Sequence, residues 1–340
     1  TIENIKNYNQ FLSTVMPIPH SSDDFCTTLQ SKFLVGSSQE MTSLINTQKT
    51  GVCMPLMTGF MNSNIPVPLN MLGLELNLEL APSSLCLKEV ASNPNSYHLE
   101  NVSLSYDVLI PNEEGMEAMR KLSKGQISYN SVQTLYSINN SSDSQTDLNL
   151  QGSNVKSIFS KYVPTSFLNN SAQDSLKMYP LQVADPSTGI PDVEAKIDEV
   201  SFMKNGVKFP LEESIDTRDI QTDSLTDKEC PRVPLVKNFV NAVIPLKHLN
   251  HSSLSLNNLS SEIYADTDVR PGTATTAQDG KSLIFGIGVN CDDLSNVGVN
   301  MKGSTFSQRV VSGLDGLTPN SCFTFVLNKN VLSFSPQGIS

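Results

Sequence analysis

The sequence has no tryptophan and few charged residues, and both shortages favour strands and turns over surface helices. Charged residues make up 17% and aromatic residues 6% of the 340-residue chain. Asn, Ser, Thr and Gln fill the polar positions instead, a composition that suits strands and turns. Nineteen prolines and eighteen glycines interrupt the chain at short intervals. This punctuation predicts many short strands rather than long helices.

Long apolar runs and basic clusters are also missing. No stretch of about 18 apolar residues is present, so we expect no membrane-spanning helix, and no signal peptide is recognisable. The net charge is −11, and the first fifty residues offer only Lys6, Lys32 and Lys49 against four acids. This balance argues against a surface that coats nucleic acid. We therefore expect no sequence-specific nucleic-acid binding, and we interpret the acidity as solubility.

The cysteines are scattered, and no two of them form a C-x-x-C pair. An even count allows disulfides, but this spacing in a chain of this size is not that of a disulfide-dense scaffold. We interpret them as mostly buried free thiols, and their disulfide state stays open. The six positions are Cys26, Cys53, Cys86, Cys230, Cys291 and Cys322.

Two glycine motifs resemble nucleotide-binding loops but lack the residues that such loops need. Gly280-Lys281-Ser282 has Thr275 where a phosphate-binding loop requires glycine, and a strand-like run follows it instead of a helix. Gly286-Ile-Gly288 has Cys291 at the third glycine position of a dinucleotide fingerprint. No G-x-S-x-G nucleophile motif is present. We predict no cofactor-binding residue and no catalytic residue, and an enzyme is the interpretation that the sequence favours least.

Histidines and aspartates in the last third of the chain are the remaining candidates for metal binding. His248 and His251 are three apart, with Asp266 and Asp268 nearby in sequence. The alternative, exposed loop histidines, fits the sequence better. Four carboxylates could bind Ca²⁺ through oxygen, but they lack EF-hand spacing. They are Asp266, Asp268, Asp292 and Asp293. We predict no metal site.

N-glycosylation sequons keep a secreted glycoprotein open as an alternative, although many arise by chance in a chain rich in Asn and Ser. They begin at Asn101, Asn139, Asn140, Asn169, Asn250 and Asn258. Asn101 falls in a predicted strand, which would make it a poor acceptor.

Helical spacing is confined to short stretches. Residues 1–16 carry apolar side chains at that spacing, and Pro17 ends the pattern. Two interpretations stay open for this helix, one in which it packs under the body of the protein and one in which it is a foot on a membrane or shell. A second helix is predicted after Asn112, which is a suitable N-cap, and Gly125 ends it.

Alternating apolar residues predict strands through the rest of the chain. Leu72–Leu80 alternates strictly, and Tyr97–Ile110 repeats the pattern over a longer run. Val200–Pro210 contains Asn205-Gly206, the strongest short signal for a two-residue hairpin turn. Further strands are predicted at 126–138, 147–163, 239–246, 254–263, 282–289, 305–314 and 321–334. The last two are expected to pair through 315–320, with 139–146 as a polar loop and a final turn at 328–330.

This strand count predicts an all-β protein of two tandem antiparallel sandwiches with a few short helices. About seven strands precede residue 170, and a similar number follows it. We divide the chain into an N-terminal extension with short helices (1–50), a first sandwich (51–195) and a second (196–340). Val200–Pro210 then lies near the junction, as scaffolding between the two halves.

Five stretches of the chain match one protein family in order and spacing. They are Ile65–Leu69 with Leu72–Leu80, then Leu99–Asp107, Val200–Pro210, Asp279–Ile287 and Thr324–Phe334. In these stretches the chain resembles the double jelly-roll major capsid proteins of the tectivirus–adenovirus lineage, of the small DNA phage and polinton-like virus type. Each stretch is short, so the match depends on order and spacing. The matches cover strands and turns, and they carry over no catalytic residue.

The resemblance implies a structural capsid protein of the virion. It implies homotrimers of pseudo-hexagonal outline that tile an icosahedral shell, with neighbouring capsomers and minor capsid or penton proteins as partners. Whether an internal membrane, reached through the N-terminal segment, is a further partner stays open. Two alternatives stay open: a single-roll minor capsid, penton or spike component, and a secreted carbohydrate-binding or adhesin β-sandwich.

Overall fold

The computed structural model describes about half of the chain, and predictions that fall elsewhere lie outside the described residues. The described residues are 2–15, 56, 58–60, 74–83, 97–115, 117, 126–150, 152–168, 197–216, 238–239, 241–242, 287–291, 298–312, 319–335 and 338–339.

These residues include one named helix of eight residues, further helical residues at 113–115, 117, 238–239 and 241–242, and ten strands. The helix is α1 (Tyr8–Val15), and a 3₁₀ turn at Thr165–Phe167 follows the third strand. The strands are β1 (Gln126–Asn139), β2 (Asp143–Leu148), β3 (Val155–Pro164), β4 (Ile197–Lys204), β5 (Val207–Lys208), β6 (Ile215–Asp216), β7 (Ile287–Asn290), β8 (Phe306–Ser312), β9 (Asn320–Ser335) and β10 (Gly338–Ile339).

Ten strands make two antiparallel sheets, which confirms the all-β prediction. The first sheet has the order β1-β9-β3-β7, with β10 added to β9. The second has the order β2-β8-β4-β5, with β6 added to β4. Apart from the pairs β4–β5, β4–β6 and β9–β10, neighbouring strands are far apart in sequence, so the sheets are built mostly by long-range pairing, as Greek-key sandwiches are.

The first sheet is buried on both faces. On one face Gln308 of the second sheet donates to Ser160 of β3 at 3.0 Å, so the two sheets face each other there. On the opposite face Phe11 of α1 lies 5.4 Å from Phe325 and 6.4 Å from Phe159, ring centroid to centroid. Phe239 packs edge-on against Phe159 from the same side. We call this second side the aromatic face.

The Asn205-Gly206 hairpin is confirmed. Asn205 and Gly206 have φ of 52° and 80°, the left-handed values that a type I′ turn needs at both central positions. Asn205 Oδ1 also accepts from the backbone N–H of Thr305 at 3.0 Å. The turn therefore joins β4 to β5 and holds the start of β8 beside them.

Helix α1 is shorter than predicted, and its apolar side is buried on the protein body. Phe11 is fully buried and Leu12 nearly so. The helix begins only at Tyr8 because Asn4 is held extended in a parallel bridge to Gln133 of β1. The structure therefore shows the first of the two interpretations, packing under the body. Contact with a membrane through this segment stays a prediction.

Several strand predictions were wrong in their pairing or extent. β8 and β9 lie in different sheets, although we expected them to pair. The predicted turn at 328–330 is continuous strand, because these residues pair with β1 and Asn330 Nδ2 donates to Ser131 Oγ at 2.6 Å. Residues 139–146, predicted as a loop, contain most of β2. They form a strand because they pair in antiparallel register with β8, for example Gln145 with Arg309.

Two predicted strands are not strands in the structure, and a third is helical where it is described. Residues 74–80 and 97–110 have no strand pairing among the described residues. Residues 238–239 and 241–242 are helical, although we predicted a strand from 239, because Phe239 and Ala242 lie on the same side of one turn and both are buried. The strand predicted at 254–263 lies outside the described residues.

Strands from both sides of residue 196 share each sheet. β1 and β3 lie beside β9 in the first sheet, and β2 lies beside β8 in the second. Much of the chain between 217 and 286 lies outside the described residues. The division into two tandem sandwiches, with boundaries at 50 and 195, stays a prediction.

Candidate assembly surface

The N-terminal segment covers half of the outer edge of β1 through one buried carboxylate. Glu3 Oε1 accepts from the backbone N–H groups of Val132 at 2.7 Å and Gly59 at 3.0 Å. Glu3 Oε2 accepts from the N–H of Phe60 at 3.1 Å. We call this arrangement the Glu3 clasp. It joins three segments far apart in sequence, residues 2–4, 58–60 and β1.

The Glu3 clasp requires glycine at position 59. A Cβ on Gly59 would lie 2.1 Å from the carbonyl oxygen of Asn130, so only glycine allows this approach to β1. Phe60 then packs edge-on against Tyr129, with ring centroids 5.2 Å apart. The clasp thus has a polar centre and an aromatic contact beside it.

Burial raises the pKa of Glu3 above its ordinary value of 4.5. Hydrogen bonds from Val132, Phe60 and Gly59 lower it, but the loss of solvent outweighs them. Burial therefore favours the protonated form of Glu3, whereas the three backbone donors favour the ionised form.

A groove of about 310 Å³ lies beside the Glu3 clasp. Glu3, Gln133, Gly152 and Asn328 are among the residues that line it. Asn328 Oδ1 is buried there and has no hydrogen-bond partner among the described residues. One amide oxygen can accept a hydrogen bond from a small polar group, but this arrangement contains no nucleophile or acid–base pair.

Among the described residues, the second half of the edge of β1 has no partner strand. Because the N–H of Val132 points to Glu3 and away from β9, the backbone groups of Thr134, Tyr136 and Ile138 point outward too. Beyond the single bridge at Gln133, no strand of the described residues pairs with this edge. Tyr136 is 49% exposed and Ile138 44% exposed. We call residues 134–138 the open edge.

Two described segments expose rows of large apolar side chains. In residues 97–110 every second residue from Val102 to Ile110 is apolar and exposed, from Leu104 at 48% to Ile110 at 91%. In residues 74–80 four leucines alternate with polar residues, and all are exposed. Contiguous apolar surface of this kind marks interaction sites in soluble proteins.

The space between the sheets contains a buried polar network. Gln308 Nε2 donates to Tyr162 Oη and Ser160 Oγ, and its Oε1 accepts from Thr324 and Cys322. Burial raises the pKa of the Cys322 thiol and raises that of Tyr162 well above its ordinary value. Both groups are therefore neutral, so the network is a structural tie and has no activated nucleophile.

The outward face of the second sheet is wet and charged. Arg309 Nε and Nη2 donate to the two carboxylate oxygens of Asp143 at 2.8 and 2.6 Å. The guanidinium lowers the pKa of Asp143. Pairs this exposed contribute little to stability, but they place charge beside the edge strand β2.

Most of the residues considered for metal binding or modification lie outside the described part of the chain. These are His248, His251, Asp266, Asp268, Asp292, Asp293, Asn169, Asn250 and Asn258. Asn101 is exposed in a bend with φ of 54° instead of a strand, and Asn139 is buried at the end of β1. Cys291 and Cys322 are buried free thiols, as predicted.

No described group of His, Cys, Asp and Glu side chains could hold a metal ion. In the same residues, no helix has the length and apolar character needed to cross a bilayer.

Comparison with known proteins gives a coarse likeness. No family model matches the chain, and no curated protein does. Solved structures of viral capsid proteins are similar to it. The Faustovirus major capsid protein is 11% identical with a TM-score of 0.37, over 66% of this chain and 36% of that chain. The PBCV-1 capsid is 7% identical with a TM-score of 0.34, over 66% and 53%.

The chain therefore spans between about a third and about half of the length of these capsid proteins. Similarity this low carries no argument about function, so any functional conclusion depends on the described surfaces and the sequence motifs.

Sequence reasoning missed the Glu3 clasp and the open edge. A single Glu near the N-terminus gives no local signal of a partner about 130 residues away. The open edge could have been suspected, because residues 131–138 form a strand pattern without charge or proline.

Proposed function

We propose that this protein is a structural, non-catalytic subunit of a viral capsid, located in the virion. Each chain would contain two jelly rolls, three chains would form a homotrimer of pseudo-hexagonal outline, and such trimers would tile an icosahedral shell. The order and spacing of the five sequence stretches that resemble double jelly-roll capsid proteins support this assignment to a capsid. Neighbouring capsomers and minor capsid or penton proteins would be its partners.

The observation that carries the proposal is the exposed apolar row of residues 102–110. Val108 is 71% and Ile110 91% exposed. An apolar row that stays exposed to water lowers the solubility of a free protein. A subunit that buries the row against another subunit avoids this loss. Obligate interfaces typically bury more than about 2,000 Å² and are enriched in apolar residues.

A polar, weakly charged surface also suits repeated lattice contacts. The chain is 17% charged, and Asp143 and Arg309 pair across the outward face of the second sheet. Contacts of this kind exclude wrong partners by charge pattern while adding little affinity.

The oligomeric state of the purified chain tests the proposal. Light scattering is expected to give three times the mass of one chain, and negative-stain images a six-sided outline. A stable monomer carrying glycans on the sequons would contradict it and favour the secreted β-sandwich. A five-fold assembly would instead favour the penton role.

A further inference from the structure

The open edge of β1 lacks the features by which natural proteins protect edge strands. Residues 131–138 contain no charge and no proline, and the pairing of β1 with β9 runs without a bulge. Other described edges are charged or short: β2 carries Asp143 and Asp147, β5 is two residues long and includes Lys208, and β7, which has no charge, is only four residues long. An unprotected edge invites another strand.

The same chain presents a segment with the properties of the missing strand. Residues 102–110 alternate apolar and mostly polar side chains, Val102 to Ile110 against Ser103, Ser105 and Asp107. They have no strand partner among the described residues, and their apolar row is exposed. Their backbone therefore offers donors and acceptors for an edge, and their apolar row offers a continuation of the face that Tyr136 and Ile138 begin.

We propose that residues 102–110 of a second copy of this chain add to the open edge of β1 as a further strand. Backbone hydrogen bonds to Tyr136 and Ile138 would provide affinity, and the apolar row would extend the aromatic face past Tyr136, whose ring lies 5.2 Å from Phe323. The partner is a second copy because a chain's own residues 102–110 leave that row exposed.

The geometry of this contact agrees with a closed ring. The edge of one subunit meets a different segment of the next, so the contact is head-to-tail and can close into a trimer. Pairing of two β1 edges with each other would instead close as a two-fold dimer. The inference rests on the proposed self-assembly and names the contact that carries it.

Three lysine substitutions in the full-length chain test the contact. Ile138→Lys places a charge on the open edge, and Val108→Lys places one in the added strand. Val207→Lys is the matched control, because Val207 is a 70% exposed apolar residue on β5, at the edge of the other sheet. We expect the first two to weaken self-association by about ten-fold or more, equivalent to about 1.4 kcal/mol, and the control to leave it unchanged.

Mixing the two interface variants separates contact between copies from contact within one chain. Ile138→Lys keeps an intact residues 102–110, and Val108→Lys keeps an intact open edge. An equimolar mixture should therefore form a heterodimer at concentrations where neither variant self-associates. A mixture that stays monomeric would mean that the segment covers its own edge, and this would overturn the proposal. Circular dichroism and unfolding midpoints near those of the wild type show that both variants fold.

Amide hydrogen exchange provides a readout independent of substitution. The amides of Tyr136 and Ile138 are expected to be protected in the wild-type oligomer and to exchange rapidly in the dilute monomer. An oligomer in which they still exchange rapidly would overturn the strand addition and leave the capsid proposal standing. A wild-type chain that stays monomeric at all concentrations would overturn both.

Discussion

At the scale of single residues, Glu3 matters most, because one carboxylate joins three segments. Its three backbone donors lie on Val132, Gly59 and Phe60. Truncation to alanine leaves these buried donors without an acceptor, at about 1–3 kcal/mol for a lost buried hydrogen-bond partner. The clasp therefore sets how firmly residues 2–15 and α1 stay on the sandwich.

The raised pKa of Glu3 predicts a pH dependence of stability with a definite sign. Because the folded pKa lies above the ordinary value of 4.5, the folded state holds its proton more tightly than the unfolded state does. The contribution of Glu3 to stability is thus full below pH 4.5 and is lost as the pH rises through the folded pKa.

Glu3→Gln removes this titration, because glutamine keeps an acceptor oxygen and has no proton to lose. We expect the difference in free energy of unfolding, wild type minus variant, to fall as the pH is raised from below 4.5. Urea denaturation across the acidic and neutral range measures it. A difference that does not change with pH would show that the carboxylate is solvated in the folded protein.

At the scale of elements, the sequence predicted local features well and pairing poorly. The Asn205-Gly206 turn, the strand β8 and the start of β1 follow from turn chemistry and alternation, which act over a few residues. Asn112 is an N-cap as predicted, since its Oδ1 accepts from the N–H of Gly115 at 2.9 Å. The partner of β8 and the straight course of β9 depend on contacts with strands more than 100 residues away, which no local pattern contains.

The same limit applies to the candidate surface. Alternation marked residues 72–80 and 97–110 as strands with one apolar face, but alternation does not specify what covers that face. Where they are described, these residues are exposed and unpaired with any described strand. The sequence therefore predicted that these segments have an apolar face, but it did not predict which surface covers that face.

The hairpin between β4 and β5 offers a prediction about a single backbone angle. Gly206 has φ of 80°, and a Cβ there would meet no atom within 4 Å. Gly206→Ala should therefore cost only the left-handed backbone conformation, about 1 kcal/mol. Gly206→Asn should cost less, because asparagine tolerates that region. Thermal unfolding of both variants checks this order, and equal losses would show that the turn relaxes to another type.

At the scale of the whole molecule, apolar contact and net charge act in opposite directions on assembly. Each copy carries a net charge of −11, so subunits that meet repel one another at long range. The proposed contact between residues 102–110 and the open edge involves one acid, Asp107, and no described base on the edge. Its affinity would come from apolar burial and backbone hydrogen bonds, which salt does not weaken.

Self-association should therefore strengthen with salt. Raising the ionic strength from about 0.01 M to about 0.1 M shortens the Debye length from about 30 to about 10 Å and screens the repulsion between subunits. Sedimentation velocity of the wild type across this range should show a rising fraction of oligomer. Val207→Lys should show nearly the same rise, because it changes the net charge of −11 by only one and leaves both sides of the contact intact. Dissociation by salt would mean that ion pairs hold the subunits together, and would place the contact on the charged face around Asp143 and Arg309 instead of on β1.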